Sequence, residues 1–482
     1  MDERRVAPWP NAELARTGLA SAILASRLLS SEREWIRRRV EKFSFLDAAH
    51  VRRSMSIDFV LPAQNFVPSQ PTLWYMPLAL PKKEPLIDLD VRDESGRSLP
   101  VLTKQENVAI SSALLRIQAA EVLRSTRRFT ELFPDVELDL VDVAGAAYGP
   151  QDTASGEEIV ARGREAAARF RLASLNVVPG TPEDLQRQLL WLDSDMRSFI
   201  QLLADRYVFF VRLQSEPLDR RIVYLSYEEK VESDRDVRHA GLSGFIRGAW
   251  KGRAESLGRS PFPASFATRA IYAASSYHAE VVVPDELLVG RAELGRAFGY
   301  VDRRTGAIVR TIKADLVTKP AATRPHLYCP GVEPGYGVPA RFEHDETELG
   351  YLDVDVMLKA GGVVPALVIS AAITLLLVIG LAVRLFMGVH ADEVASAALL
   401  VAAPAAFAAY FVPGGHQLVR RLYRGLRALV ALCGLTAFAA AGVLVLDVPT
   451  WATASSWGLL ALISVSTTWA ITRAAVRCLT AS

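Results

Sequence analysis

The chain has 482 residues, of which 55 are Lys or Arg and 53 are Asp or Glu, so its formal net charge is only +2. This balance argues neither for nor against nucleic-acid binding, but the sequence has no basic stripe with a nucleic-acid-binding motif, so we expect no nucleic-acid partner. Apolar residues make up 50% of the chain and are concentrated after Gly361. Of the three cysteines only Cys329 precedes that point, which indicates a reducing compartment rather than a disulfide-stabilised fold.

The first segment, residues 1–50, places apolar side chains at helical spacing among many arginines. The pattern predicts one or two amphipathic helices. Its apolar positions are Leu14, Leu19, Ile23, Leu28, Trp35, Ile36, Val40 and Phe43.

Residues 51–132 predict a first β-rich unit with one helix. Alternating apolar residues predict strands over 54–62 and 72–80, and a hairpin around the turn Asp93–Gly96. Helical spacing and propensity predict a helix over Asn107–Thr126. Residues 133–181 are weakly patterned and rich in turn residues, with a polar run over 151–158 followed by a short Ala/Arg/Glu helix, so we interpret them as a linker or insertion.

Residues 182–360 predict a long helix and then a second β-rich unit. Thr181 has the side chain of an N-cap, with proline and two acidic residues in the first turn, and the helix extends to about Asp205. Together the two β-rich units predict a cytoplasmic α+β region with a β-sandwich-like part. Strands are predicted over 207–213, 221–227, 267–274, 278–283, 308–316, 340–344 and 349–359.

Residues 361–482 contain four apolar stretches, and a membrane-spanning helix needs roughly 20 apolar residues to cross ~30 Å of hydrocarbon. We therefore predict an all-α membrane domain of four transmembrane helices after the α+β region. The stretches cover 363–387, 397–412, 429–446 and 457–472.

The connection between the second and third stretches carries four arginines, which predicts an inner-face positive loop. The N-terminal residues lack the continuous apolar core of a signal peptide. We accordingly expect a multi-pass protein of the bacterial inner membrane with both termini in the cytoplasm. The loop arginines are Arg420, Arg421, Arg424 and Arg427.

A basic, partly apolar segment between Arg235 and Arg259 has helical spacing and is a candidate membrane-surface helix. The alternative, which we favour, is a helix packed on its own domain, because its four glycines weaken an isolated helix. The residues that would contact the membrane surface are Phe245, Arg247, Trp250 and Lys251.

Motifs for nucleotide binding, zinc proteolysis, zinc ribbons and the hydrolase nucleophile elbow do not occur. The glycine-rich run Gly241–Gly248 lacks dinucleotide-binding spacing. Asp88, Asp90 and Asp93 resemble the start of a calcium loop, but Leu102 stands where a bidentate Glu is required. We therefore expect no catalytic residue, no cofactor and no metal site.

Two weaker candidates stay open. Ser276 and His278 share one face of a predicted strand next to Ser275, but no acidic residue that would orient the histidine can be assigned, so a structural role is preferred. The acidic run Glu343–Glu348, which includes His344, is expected to be a solvated turn, with a loose metal or partner site as the alternative.

The predicted membrane helices lack central Asp, Glu, Lys and His, which lowers the odds of a transporter. The first hypothesis is a binding, scaffold or regulatory protein that its four C-terminal helices hold in the lipid bilayer, with a protein partner or as a homo-oligomer. The second is a membrane effector or pore that the cytoplasmic domain gates. The third is an enzyme with a non-motif active site in the β-rich region, although the missing signatures weigh against catalysis.

Overall fold

The computed structural model describes residues 21–29, 32–60, 73–83, 86–126, 128–129, 131–145, 156–176, 179–214, 220–231, 261–268, 274–301, 308–318, 323–330, 349–359, 364–387, 416–445 and 450–481. Its architecture is α+β with a mixed sheet. The strands are β1 (Ile36–Phe45), β2 (His50–Val60), β3 (Leu73–Ala79), β4 (Ile87–Asp93), β5 (Phe209–Gln214), β6 (Arg220–Lys230), β7 (Phe262–Thr268), β8 (Ser276–Val282), β9 (Leu287–Val301), β10 (Ile308–Thr318), β11 (His326–Pro330) and β12 (Leu349–Leu358).

The described helices comprise two short ones near the N-terminus, five in the middle of the chain and three near the C-terminus. They are α1 (residues 21–29), α2 (Glu32–Trp35), α3 (Lys104–Thr126), α4 (Pro134–Ala144), α5 (Gly156–Leu175), α6 (Pro182–Leu192), α7 (Ser194–Asp205), α8 (Val364–Phe386), α9 (Gln417–Val445) and α10 (Thr450–Ala481).

The largest sheet has six strands in the order β11-β8-β1-β2-β6-β4. Strand β1 is parallel to β8 and antiparallel to β2, which makes the sheet mixed. A four-stranded sheet has the order β10-β9-β12-β7, and β3 pairs with β5 in a two-stranded sheet. These non-local pairings bring β8, more than two hundred residues after β1 in the sequence, beside it in space.

Both smaller sheets supply side chains to the cores against which the inner face of the six-stranded sheet packs. Phe43 of β1 stacks on Phe266 of β7 with ring centroids 4.7 Å apart. In a second core Trp35 meets Phe59 edge to face, in a cluster that also contains Met76 of β3. Stacked sheets that share apolar faces form a sandwich, since each sheet can bury only one face by itself.

The two-stranded sheet is buried on both of its faces. Met76 of β3 and Val211 of β5 belong to the core shared with the six-stranded sheet. Their neighbours Tyr75 and Phe210 belong instead to the core of helices α3–α7, because successive strand residues point to opposite faces. The helices therefore form a third layer on the outside of β3 and β5.

Strand β1 replaces part of the predicted N-terminal helix. Residues 21–29 are helical, but the segment from Ile36 is a strand that pairs with β2 and β8. Its inward positions include Arg39 and Glu41, both buried, which alternate with Phe43. Because two of the inward side chains are charged, the apolar residues alone do not show the period of two that marks a strand.

The helix predicted from Thr181 to Asp205 is divided into α6 and α7. Thr181 is the expected N-cap, since its Oγ1 accepts a hydrogen bond from Asp184 N at 3.1 Å. Asp193 ends α6 and begins α7, with its Oδ1 accepting from Met196 N at 2.8 Å. The stretch interpreted as a linker, 133–181, contains α4 and α5. The predicted strand over 340–344 lies outside the described residues.

The predicted transmembrane domain is not supported. Within the described parts of the chain, every helix is too short or too polar to cross a membrane. The prediction of a multi-pass inner-membrane protein with four spanning helices and cytoplasmic termini is therefore wrong. Three of the four apolar stretches fall in α8, α9 and α10, while 397–412 lies outside the described residues.

The physical reason for this error is visible in α9. The helix begins at Gln417 and includes all four arginines that were predicted to form an inner-face loop, so its first turns are amphipathic. Leu418, Leu422 and Leu426 of these turns are buried in the same core as Phe262 of β7. Val430 and Cys433, which belong to the predicted third membrane stretch, are buried in this core too, so side chains predicted to face lipid instead lie in the core shared with the sheets. The helical arginines are Arg420, Arg421, Arg424 and Arg427.

The start of α9 is fixed to the turn between β1 and β2. His416 Nε2 lies 2.7 Å from the carbonyl oxygen of Phe45. The guanidinium of Arg421 lies over the ring of Phe262, 5.1 Å from its centroid, in a cation–π contact. These contacts hold the C-terminal helices on the sandwich through one end of α9.

Candidate functional site

The outer face of the six-stranded sheet carries a group of polar side chains where β1, β8 and β11 adjoin. Ser276 and His278 lie two residues apart on β8, so they share this face. His326 comes from β11, in which Tyr328 pairs with His278 and His326 with Glu280. His326 is therefore the diagonal neighbour of His278. We call Ser276, His278, His326 and the adjacent Arg38 of β1 the outer-face cluster.

Hydrogen bonds connect three members of this cluster in a chain. Ser276 Oγ lies 2.9 Å from His278 Nε2, and His278 Nδ1 lies 3.1 Å from His326 Nε2. The ring of Tyr328 packs at 4.8 Å from that of His278. Because the imidazoles meet through one nitrogen each, one nitrogen donates and the other accepts, so at least one of the two rings is neutral.

The electrostatics of the cluster disfavour additional positive charge. The pKa of His278 is lowered, first by partial burial and then by the positive charges of Arg38 and His326. The imidazole of His278 is therefore held neutral more strongly than a free histidine at the same pH. Arg38 forms no ion pair with a carboxylate in the part of the chain that the structure describes.

Ser276, His278 and His326 are arranged in the order of a nucleophile, a base and a residue that orients the base. From the sequence alone, no acidic residue could be assigned to the third position, which His326 occupies here. Acyl transfer also needs N–H donors for an oxyanion. Strand β8 has hydrogen-bonded neighbours on both sides, and the N–H of Ser275 donates to the carbonyl oxygen of Ile36 at 2.9 Å. The backbone donors beside Ser276 are thus engaged in the sheet, so the arrangement favours binding over nucleophilic catalysis.

Below this cluster, on the inner face of the same sheet, lies a buried ion network of Arg39, Glu41, Arg53 and Glu229. Arg39 Nε donates to Glu41 Oε1 at 2.7 Å, and Arg53 Nη2 donates to Glu41 Oε2 at 2.6 Å. Arg53 Nη1 also donates to Glu229 Oε2 at 3.1 Å. With two cations and two carboxylates the network is balanced, as charges in a core must be.

The protonation of the network follows from these contacts. Burial acts to raise the pKa of Glu41, but the charges of Arg53 and Arg39 and their hydrogen bonds outweigh it, so the pKa lies below its ordinary value. Burial raises the pKa of the nearby Tyr277 hydroxyl well above its usual range. At physiological pH Glu41 is therefore an anion and Tyr277 a neutral phenol. Because neither group changes its protonation state there, their role is structural.

The three aspartates that resembled a calcium loop have other partners. Asp88 pairs with Arg52, and Asp90 Oδ2 lies 2.8 Å from Arg92 Nε. Asp93 closes its turn by accepting from the N–H groups at positions 95 and 97 at 2.9 and 3.0 Å. In the described residues, groups of three or more His, Cys, Asp and Glu that could hold a metal do not occur.

Two sets of predicted residues lie outside the described residues and stay predictions. They are the membrane-surface residues Phe245, Arg247, Trp250 and Lys251, and the acidic run from Glu343 to Glu348. Of the outer-face cluster, the sequence pointed only to the two residues of β8, Ser276 and His278. His326 was missed because the pairing of β11 with β8 joins residues 48 positions apart in the sequence.

A different surface stands out near the C-terminus, where α8, α9 and α10 each carry a stripe of exposed large apolar side chains. On α8 the stripe recurs every three or four residues, as one face of a helix does. We call six of these exposed positions the C-terminal apolar surface. They are Leu376, Leu435, Leu459, Leu462, Val465 and Trp469, which are 51–68% exposed.

Comparison with known proteins gives no relative. No protein-family model matches the chain, no curated protein is detectably similar to it, and no solved structure matches it. The assignment of function therefore rests on the physical properties of these two surfaces.

Proposed function

We propose that this chain is a binding protein with a scaffold or regulatory role, which assembles with a protein partner or a second copy of itself through the C-terminal apolar surface. The observation that carries the proposal is the exposure of that surface. Leu435 and Leu462 are 63% and 64% exposed, although both are large aliphatic residues. Contiguous apolar surface is unfavourable in water at roughly 25 cal/mol per Å² and commonly marks an interaction site.

The opposite faces of the same helices support this interpretation. Val378, Ala440 and Trp457 form a buried cluster in which the three helices pack on one another. The helices thus have a core of their own, and their exposed leucines are not required for it. A surface that is both apolar and built on rigid helices resembles the core of a protein interface.

The other two hypotheses receive less support. A gated pore requires helices that cross a membrane, and the described helices do not meet that requirement. An enzyme of the acyl-transfer type requires N–H donors for the oxyanion. Strand β8 has hydrogen-bonded neighbours on both sides, so its backbone N–H groups are engaged in the sheet.

The experiment compares the full chain with the double variant Leu435→Glu/Leu462→Glu. We would cross-link the wild-type protein in its source cells, purify it by affinity, and measure its mass by light scattering. Leu172→Glu is the matched control, since Leu172 is 62% exposed but lies on α5 in the helical layer. We expect a stoichiometric partner or a dimer that the double variant loses and the control retains.

Two results would contradict the proposal. One is a wild-type chain that is monomeric and cross-links to no protein in a defined ratio. The other is a chain that remains with the membrane fraction after alkaline extraction and brings no protein with it.

A further inference from the structure

We propose that the outer-face cluster binds the phosphate group of a small phosphate ester. The outer-face cluster is separate from the C-terminal apolar surface, so this binding is independent of the proposed assembly function. Arg38, Ser276, His278 and His326 supply hydrogen-bond donors, and the charge pairing in this part of the sheet differs from that in the rest.

The contrast is one of charge pairing. The arginines of β2, β4 and β6 in the six-stranded sheet have carboxylate partners. Arg52 pairs with Asp88 and Glu228, Arg220 with Asp58, and Arg92 with Asp90. Beside the cluster, Arg38 forms no ion pair within the described chain, because Asp58, which faces it in register on β2, pairs with Arg220 instead. An excess of positive charge confined to one part of a sheet complements an anion.

The charged groups that neighbour the histidines on β1, β8 and β11 are mostly cations. Strand β1 contributes Arg38 and Lys42, and Arg324 precedes β11. Glu280 is the one acidic side chain among the described outer-face neighbours of His278 on β1, β8 and β11, and it pairs in register with Lys42. Before either imidazole is protonated, the cations therefore exceed the anions here.

The chain of hydrogen bonds gives the cluster two states. When both imidazoles are neutral, His278 Nδ1 and His326 Nε2 satisfy each other at 3.1 Å. When both are protonated, each nitrogen carries a proton, so the contact becomes repulsive and the two N–H groups must find another acceptor. An oxyanion placed between them would accept both protons, with the Ser276 hydroxyl and the Arg38 guanidinium as further donors.

A phosphate suits this donor set better than a carboxylate or a metal ion. A phosphate monoester has a charge of about −1.5 to −2 at neutral pH and three acceptor oxygens, whereas a carboxylate has one charge and two oxygens. A metal ion would need at least one carboxylate or further imidazole, and it would lie next to the cation Arg38. Tyr328, 48% exposed beside His278, offers an apolar surface to the organic part of the ester.

The experiment is a calorimetric titration of the full chain with inorganic phosphate and with phenyl phosphate. We expect saturable binding of both, at least tenfold tighter at pH 6.0 than at pH 8.5, because the imidazoles must be protonated. We expect Arg38→Met and His326→Gln each to weaken binding about tenfold or more, which is typical for the loss of a charge-assisted hydrogen bond. Both side chains are exposed, so the folded state should survive.

Arg92→Met is the matched control, since Arg92 lies on the same sheet but is already paired with Asp90. Its affinity for phosphate should stay within about twofold of the wild-type value, because a paired surface arginine adds little. Binding that Arg38→Met leaves unchanged, or that is equal at the two pH values, would overturn the proposal. So would zinc binding that depends on His278 and His326 in a protein that ignores phosphate.

Discussion

Glu41 and Arg53 form an ion pair inside the sandwich, with Arg53 Nη2 2.6 Å from Glu41 Oε2 and side chains that are 4% and 0% exposed. Arg39 contacts the other oxygen of the same carboxylate at 2.7 Å. Glu41 is thus shared by two buried cations. Removing its charge leaves the buried Arg39 without its carboxylate partner and Arg53 with Glu229 alone.

We expect Glu41→Gln to destabilise the protein by about 3–5 kcal/mol, the range for breaking a buried ion pair. Denaturant unfolding followed by tryptophan fluorescence measures the change. Asp90→Asn is the control, because the Asp90–Arg92 pair is exposed and should contribute less than about 1 kcal/mol. Equal effects of the two substitutions would show that burial of the network is irrelevant to its energy.

The pH dependence of stability should report the same carboxylate. The pKa of Glu41 is lower in the folded chain than its ordinary value of 4.5, so folding favours the anion. Its contribution is therefore complete above that ordinary pKa and is lost as the pH falls through the lower folded value. Between pH 5 and pH 3 the wild-type protein should lose more stability than Glu41→Gln, as thermal unfolding at each pH would show. Parallel curves would contradict this assignment.

Lys83 should give stability the same direction of pH dependence, but at alkaline pH. Burial lowers its pKa from 10.5 to about 8, while its Nζ donates to the carbonyl oxygen of Val143 at 2.6 Å. Between these two pH values the unfolded chain binds a proton that the folded chain does not, so stability rises with pH. Relative to Lys83→Met, the wild-type protein should gain stability with a slope of up to about 1.4 kcal/mol per pH unit. Unfolding of both proteins at pH 8, 9 and 10 tests this. A stability difference between wild type and Lys83→Met that falls as the pH rises would contradict the prediction.

The packing of α9 on the sheets can be tested at Leu426. This side chain is 1% exposed within the core that also contains Phe262 and Phe266. Leu426→Ala should cost about 2–5 kcal/mol through lost burial and the cavity that it leaves. Leu172→Ala, at a position that is 62% exposed, should change stability by less than about 0.5 kcal/mol. Hydrogen exchange of α9 amides would show where the first substitution acts, and unaltered exchange there would argue against this docking.

The junction of α6 and α7 depends on one capping side chain. Asp193 Oδ1 accepts from Met196 N at 2.8 Å, which satisfies a free N–H at the start of α7. Asp193→Ala should cost about 1 kcal/mol, whereas Asp193→Asn, which can still accept that bond, should cost less. Thermal unfolding distinguishes the two. If the asparagine variant is as unstable as the alanine variant, the cap is not the reason for the break in the helix.

Helices and strands were predicted well where apolar side chains alone occupy the inward positions. The strands β2, β3, β4, β6 and β12 and the helix α3 follow from the alternation or the helical spacing of their apolar residues. Thr181 was identified as an N-cap because the bond that it makes reaches only three residues along the chain. Such features depend on neighbours in the sequence, and the sequence contains them in full.

What the sequence by itself determined is therefore the α+β composition, most of the strands and the start of α6. Tertiary structure alone decided that β1 is a strand with an ion network on one side, since its inward charges are tolerated only beside Arg53 of β2. It also decided that His326 meets His278, and that apolar residues of α9 pack on β7 rather than face lipid. Each of these depends on contacts between distant parts of the chain, and the energy of burying a charge or a leucine depends on what lies opposite it.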